Sequence, residues 1–229
     1  MSYVQGSPSR PGPEADLVQK FVRIALPDPS DGRCRTIFIE PMLATTRPDI
    51  VVVDWDPSVS RWWPEERQFL EATDLRLAQL LFIEGALSER KLRVHFPRRL
   101  KASLMRLERA GLINSVDDRW TLRHLGDIFA VHRIITFEAK ISALSRALKQ
   151  AHFNTWFASE SYVLTTIKQP GDRIIRKAQL RGIGLWLPAE EAPFAPFLSA
   201  KQRPLPQSFA SWLLNELAWK TAWRQAHDG

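Results

Sequence analysis

A mixed α/β sheet flanked by helices, interrupted by a separate helical module, is the fold class the sequence predicts. Three observations predict it. Ile50-Val51-Val52-Val53 is an unbroken β-branched run, the pattern of a strand covered on both faces. Ile134 to Ser142 alternates, with Ile135, Phe137, Ala139 and Ile141 on one face and Thr136, Glu138 and Lys140 on the other. Between these strands, residues 65–124 carry the helical period and end in a short hairpin pattern.

Taken in order, residues 1–13 are rich in Ser, Pro and Gly and lack the apolar stretch of a signal peptide. They are expected as a short disordered tail. Glu14 to Leu26 predicts a helix, since Leu17, Val18, Phe21, Val22 and Ala25 recur at helical spacing and Pro13 suits its first turn. Arg35 to Glu40 and Arg47 to Trp55 predict two strands joined by a short connection. An antiparallel hairpin across it places Glu40 near Arg47, on the same sheet face as Asp49. Trp55 to Glu66 breaks every period and predicts a linker. Helices are expected at 74–83, 88–94 and 97–110, then short strands at 112–115 and 119–122. Three helices followed by a small hairpin is the order of a winged helix-turn-helix. Beyond the Ile134 strand, a helix is expected over 143–157 with Leu144, Ala147, Leu148, Ala151 and Phe153 as its buried side. A strand at 161–167, a helix at 172–180 and a strand at 182–187 follow. Residues 190–207 are Pro-rich and expected irregular. A C-terminal helix at 208–226 offers Trp212, Leu213, Leu217 and Trp219 or Trp223 for docking. The expected division is a tail at 1–13, an α/β domain at 14–60 and 125–229, and an insert at 65–124.

Of the 229 residues, 45% are hydrophobic and nine are Trp, enough for a substantial core. No apolar run approaches the ~18 residues of a membrane span, so no membrane partner is expected. The single cysteine, Cys34, excludes an intrachain disulfide and a cysteine zinc cluster. A reducing, cytoplasmic compartment is the natural expectation. Net charge is +7. Between Arg90 and Arg109, eight cations face one carboxylate, Glu108, so the whole excess lies in that segment. Localised basicity points to a polyanion partner. On the third insert helix, Leu100, Leu104 and Leu107 share a face with Ser103, and Arg98, Arg99, Lys101, Arg106 and Arg109 lie opposite. Two readings stand for these five: DNA contacts, or the solvated face of a protein-docking module.

Glu138 and Lys140 also admit two readings. One is a solvated face on an edge strand. The other is a functional pair, because charges on a buried strand require partners or a metal. The segment Arg47-Pro48-Asp49-Ile50-Val51-Val52-Val53, followed by Phe137-Glu138-Ala139-Lys140, resembles the PD-(D/E)xK nuclease superfamily, the restriction-endonuclease-like fold. Gln150 on the next helix, Tyr162 to Thr165 and Gly182 to Leu185 are similar to its later elements. The resemblance covers roughly residues 14–56 and 133–188. It departs from the family in one respect: Asp49 and Glu138 stand 89 positions apart. The two meet only if the ends of the insert are close in space.

The resemblance implies a Mg²⁺-dependent endonuclease, with Mn²⁺ as a substitute, hydrolysing DNA held by the inserted winged helix. Asp49 and Glu138 supply hard oxygen ligands, and the Ala139 carbonyl adds another. Lys140 orients or helps deprotonate the attacking water and offsets charge at the phosphate. Gln150 positions a water or the nucleic acid backbone. A third carboxylate is Glu14 or Glu40. His152 is expected to be structural, and His95, His124 and His132 lack ligand spacing. The alternative is a non-catalytic DNA-binding or regulatory protein on a nuclease-like fold. DNA versus RNA, cleavage specificity, and monomer versus homodimer stay open.

Overall fold

The structure, a computed structural model, describes residues 2–5, 11–24, 26, 29, 32–43, 46–188 and 194–227. Its elements in chain order are β1 (Ser2–Gln5), α1 (Pro13–Ile24), β2 (Cys34–Ile39), β3 (Ile50–Trp55), α2 (Pro57–Ser60), a 3-10 turn (Glu65–Phe69), α3 (Ala72–Glu84), β4 (Leu87–Ser88), α4 (Glu89–His95) and α5 (Leu100–Arg109). There follow β5 (Ile113–Val116), β6 (Arg119–Leu122), α6 (Leu125–Ile128), β7 (Val131–Lys140), α7 (Leu144–Asn154), β8 (Glu160–Thr165), α8 (Asp172–Arg181), β9 (Gly184–Leu187), β10 (Ala195–Leu198) and α9 (Phe209–His227). They form two compact units, Met1–Asp54 with His132–Gln207, and Trp55–Val131 with Ser208–Gly229.

The first unit is built on a sheet of order β1-β2-β3-β7-β8-β9-β10. It is mixed: β1 runs parallel to β2, β7 to β8 and β8 to β9, while β10 is antiparallel to β9. The connection from β2 to β3 folds back as a hairpin. Leu43 and Thr46 pair antiparallel, and the Glu40 N–H donates to the Asp49 carbonyl at 3.1 Å. Arg47 and Glu40, expected as neighbours, form an ion pair at 2.6 Å.

The placement of β7 decides between the two readings of its face. It lies between β3 and β8, not at an edge. Ile135, Phe137 and Ala139 enter one core with Leu17, Val18 and Phe21 of α1 and with Ile50 and Val52 of β3. Leu144, Ala147, Leu148 and Ala151 of α7 share a second core with Val163 of β8, Ala178 of α8 and Leu185 of β9. A solvated edge strand is therefore excluded. Because β3 and β7 are neighbours, a separation of 89 positions in sequence does not keep Asp49 from Glu138.

Four sequence expectations require correction in this unit. Residues 2–5 of the expected disordered tail form β1, with backbone pairing to β2; residues 6–10 lie outside the described residues. Strand β10 stands within the stretch expected to be irregular. Phe153 is 54% exposed because it lies beyond the edge of the α7 apolar stripe. Ile141 falls after the end of β7 and is exposed.

In the second unit α3 and α5 contribute Leu75, Leu77, Ala78 and Leu81, and Leu100, Leu104 and Leu107, to the interior. A three-stranded antiparallel sheet of order β4-β6-β5 accompanies them. Its first strand, Leu87–Ser88, is too short to register as a sequence pattern. Helix α9, expected with the sheet domain, belongs here. Arg67 reaches both Glu216 carboxylate oxygens, at 3.0 and 2.5 Å, and the Ile128 carbonyl at 2.9 Å. The Asn215 Oδ1 accepts from the Ala130 N–H, and Trp212 Nε1 donates to Gln79 Oε1. Three polar side chains on one helix thus find partners within residues 55–131, which fixes where α9 docks.

Candidate active site

Asp49 stands one residue before β3, and Glu138 and Lys140 lie at the far end of β7. The pairing of the two strands brings them together. The Ala139 N–H donates to Asp49 Oδ2 at 2.7 Å. Glu138 is 2% exposed, and its Oε1 accepts from Asn154 Nδ2 at 2.7 Å. Thr46 Oγ1 donates to Asn154 Oδ1 at 3.0 Å, which orients that amide. The Lys140 ammonium donates to Glu14 Oε2 at 2.7 Å and to the Ala139 carbonyl at 2.9 Å, and stands 3.8 Å from Asp49 Oδ2.

The alternation along β7 puts Glu138 and Lys140 on one face, but their tips part. Glu138 meets α7 through Asn154, whereas Lys140 reaches Glu14 at the start of α1. The long lysine stem at the end of its strand permits this. Of the two candidates for a third carboxylate, Glu14 joins the cluster directly. Glu40 is engaged by Arg47, although its charge still reaches Asp49.

The electrostatics are those of buried carboxylates. Burial pushes Glu138 up to about 8, the Asp49 charge pushes the same way, and Asn154 and Lys140 pull against both. Asp49 is raised, also chiefly by burial, with Lys140 and the Ala139 N–H opposing. Burial pulls Lys140 down, but the Glu14 hydrogen bond and the Asp49 charge outweigh it, so its ammonium is held above the usual lysine range. Both carboxyl groups thus hold their protons to higher pH than free carboxylates do.

Among the described residues no group of three His, Cys, Asp or Glu side chains is placed to hold a metal ion. That count does not decide against Mg²⁺, which takes one or two carboxylates and keeps several waters. Asp49, Glu138 and the Ala139 carbonyl form an all-oxygen set of that kind. Burial raises both carboxylates, and the Asp49 charge raises Glu138 further, which is what a cation there would relieve. The residues fit the ion, with one condition: the Lys140 ammonium now rests on the Ala139 oxygen and has to leave it.

Gln150 lies one turn before Asn154 on α7, and its Oε1 is buried without a hydrogen-bond partner among the described residues. Asn154 and Thr46 are the site residues that sequence reasoning missed. Asn154 follows Gln150 by four positions, so the helical period alone places it on the same stripe. His152 is exposed and outside the cluster.

The basic residues lie in the second unit. Lys101 and Arg109 are exposed on α5. Arg98 and Arg99 are exposed in the turn before it rather than on the helix, and Arg99 takes a left-handed φ of 63° as its N-cap. Arg106 departs from the expected DNA-facing set. It turns onto Asp74, which is fully buried, with contacts at 2.7 and 2.9 Å, and lies 3.5 Å from Glu71. A buried carboxylate at 0% exposure requires such a partner, so Arg106 braces α5 against α3.

Comparison with known proteins finds no match: no protein-family model matches the chain, and neither does any curated protein or solved structure. No helix among the described residues is long and apolar enough to cross a membrane.

Proposed function

We propose that the sheet unit is a Mg²⁺-dependent nuclease of the PD-(D/E)xK type that hydrolyses phosphodiester bonds in DNA, with the helical unit serving as a winged helix that binds the duplex. The observation that carries the reading is the meeting of Asp49, Glu138 and Lys140 at adjoining strand ends, with Glu138 pushed up to about 8. Carboxylates that structural needs alone had placed would be paired with arginines, as elsewhere in this chain. Asp49, Glu138 and the Ala139 carbonyl would hold the metal, which when bound supplies positive charge to the phosphate and acidifies water.

The chain's own residues do the rest. Lys140, on release from the Ala139 oxygen, is free to lay its ammonium against the phosphate and to orient the attacking water. Glu14 holds that ammonium within reach of the site. Gln150 Oε1 is an acceptor, so it would take a donor such as a water O–H rather than a phosphate oxygen. Thr46 and Asn154 keep Glu138 in one orientation. Arg98, Arg99, Lys101 and Arg109 would neutralise phosphates along the duplex.

One observation favours a second reading, a non-catalytic DNA-binding or regulatory protein: Lys140 already donates to Glu14 and to the Ala139 oxygen, as a structural lysine would. Nicking of supercoiled plasmid by the purified protein separates the two. Cleavage with Mg²⁺ or Mn²⁺ that stops in EDTA is expected. No cleavage with either ion at any pH from neutral to 9 would leave the binding reading.

A further inference from the structure

Trp62 and Trp63 are adjacent in sequence and opposite in circumstance. The Trp63 Nε1 donates to the Asp127 carbonyl at 2.7 Å, and the Arg67 guanidinium lies 3.3 Å over its ring. Its centroid is 6.0 Å from that of Trp219. Trp62 is 84% exposed and has no hydrogen-bond or ring partner among the described residues. A locked neighbour thus fixes the backbone and presents a bare indole. An indole so exposed leaves most of its burial energy unused in the free protein.

Beside it opens a cleft of about 300 Å³ lined by Trp62, Trp63, Pro64, Gly111, Arg123 and Asp127 among others. Gly111 lies two residues past the end of α5 at φ +70°, and a Cβ there would sit 3.4 Å from Arg123 Nη1 and 3.8 Å from Pro64. A Cβ would thus meet only ordinary contacts, and it is the left-handed φ that favours glycine in this wall of the cleft. Arg123 Nη1 donates to the Gly111 carbonyl at 3.4 Å, and no carboxylate pairs with this exposed guanidinium among the described residues. The exposed Asp127 carboxylate is likewise unengaged among them. The cleft combines an aromatic face, a cationic donor fork and an acceptor, at one end of the helix that carries Lys101 and Arg109.

We infer that this cleft takes an unpaired nucleotide, its base stacked on Trp62 with an N–H or amine toward Asp127, and its phosphate on Arg123. A nucleotide supplies all three complements: a flat π-face, ring or exocyclic donors, and an anion. The inference rests on the nucleic-acid reading of α5, because it places the nucleotide on the strand that helix binds. It concerns recognition of a frayed, tailed or single-stranded element and is independent of cleavage.

The test uses the full-length protein in EDTA, with fluorescence anisotropy on a blunt duplex and on the same duplex carrying a short unpaired tail. Wild type is expected to bind the tailed duplex more tightly. Trp62→Ala should lose roughly tenfold on the tailed duplex and nothing on the blunt one, and Trp62→Phe should keep most of the preference. Arg123→Ala should lose the preference too and lower the salt slope on the tailed substrate by about one contact. Circular dichroism should be unchanged, since Trp62 has no packing role. Equal binding of the two duplexes by wild type, or a full tail preference in Trp62→Ala, overturns the inference. If an Arg98/Arg99/Lys101 triple alanine variant then loses blunt-duplex binding, the cleft inference alone falls. If that variant also binds as wild type does, the nucleic-acid reading falls with it.

Discussion

Glu138 and Glu216 are buried to nearly the same degree, 2% and 1% exposed, and the chain treats them in opposite ways. Glu216 meets a guanidinium that grips both its oxygens, with Asn215 donating to one of them and the Ile128 carbonyl completing the arginine's set. Glu138 is given an amide and a second carboxylate as neighbours. The first arrangement satisfies a charge and the second withholds satisfaction. Arg35 with Asp54, and Arg133 with Glu160, repeat the first pattern within the sheet unit itself. Burial of an acid is therefore routine in this protein, and what marks the candidate site is the missing arginine.

The sharpest way to break the comparison is to remove each partner in turn. Arg67→Ala strands Glu216 without compensation and should cost roughly 3–5 kcal/mol, read by denaturant unfolding. A loss under about 1 kcal/mol would mean that the pair behaves as a surface bridge and the contrast is empty. In the sheet unit the expected losses are of function. Asp49→Ala and Glu138→Ala should abolish plasmid cleavage and weaken Mg²⁺ binding. Lys140→Ala should abolish cleavage while Mg²⁺ binding, measured by calorimetry, largely persists. Full activity in the lysine variant would sink its assignment.

A substitution of opposite sign follows from the pKa of Glu138. Its folded value, about 8, lies above the ordinary 4.5, so the folded protein keeps a proton that the unfolded chain has released. Stability should fall as pH rises from about 4.5 to 8 and then level off. Glu138→Gln keeps an acceptor for Asn154 but removes the titration. Its stability should match wild type near pH 4 and exceed it by on the order of 3 kcal/mol at pH 9. Parallel melting curves for the two proteins across this range would contradict the account of Glu138 as a carboxyl held protonated by burial beside Asp49. Mg²⁺ should for the same reason raise the melting temperature of wild type more at pH 8.5 than at pH 6.

The smallest effects belong to the basic surface. Arg98→Ala or Lys101→Ala should leave stability unchanged and flatten the log-affinity against log-salt plot for duplex DNA by about 0.9 per lost contact. Arg106→Ala should do the reverse, lowering stability through Asp74 and sparing the slope. A flattened slope in the Arg106 variant would return that residue to the DNA-facing set.

What was legible in the sequence had a period. The β-branched run of β3, the alternation of β7 and the leucine stripes of α5 and α7 each identified their element to within a few residues. Asp49, Glu138 and Lys140 were legible because their strands were, and Glu14 because a helix start has a position. What escaped depended on pairing at a distance. β1 and β10 are four residues each, and their strand state comes from the neighbour they join. Helix α9 was legible as a helix but not in its unit, because Asn215 and Glu216 inside it meet residues 67, 128 and 130. Arg106 read as one cation among five because nothing in the local sequence announces the buried Asp74, 32 positions earlier.

The Asp56 N–H donates to the Ala130 carbonyl at 2.9 Å, next to the point where β3 ends and β7 begins. The chain thus leaves the sheet and returns to it at one place. In folding terms this shortens a long journey. Joining β3 to β7 across a flexible loop of that length would incur a closure entropy that grows with the logarithm of its length. Once residues 56 and 130 are held together, the two strands are related as the arms of a tight hairpin. The contact that assembles Asp49 with Ala139 then becomes effectively local, although the sequence separates them by 90 positions. Nucleation of the site is in this way handed to a peptide hydrogen bond that bears none of its chemistry.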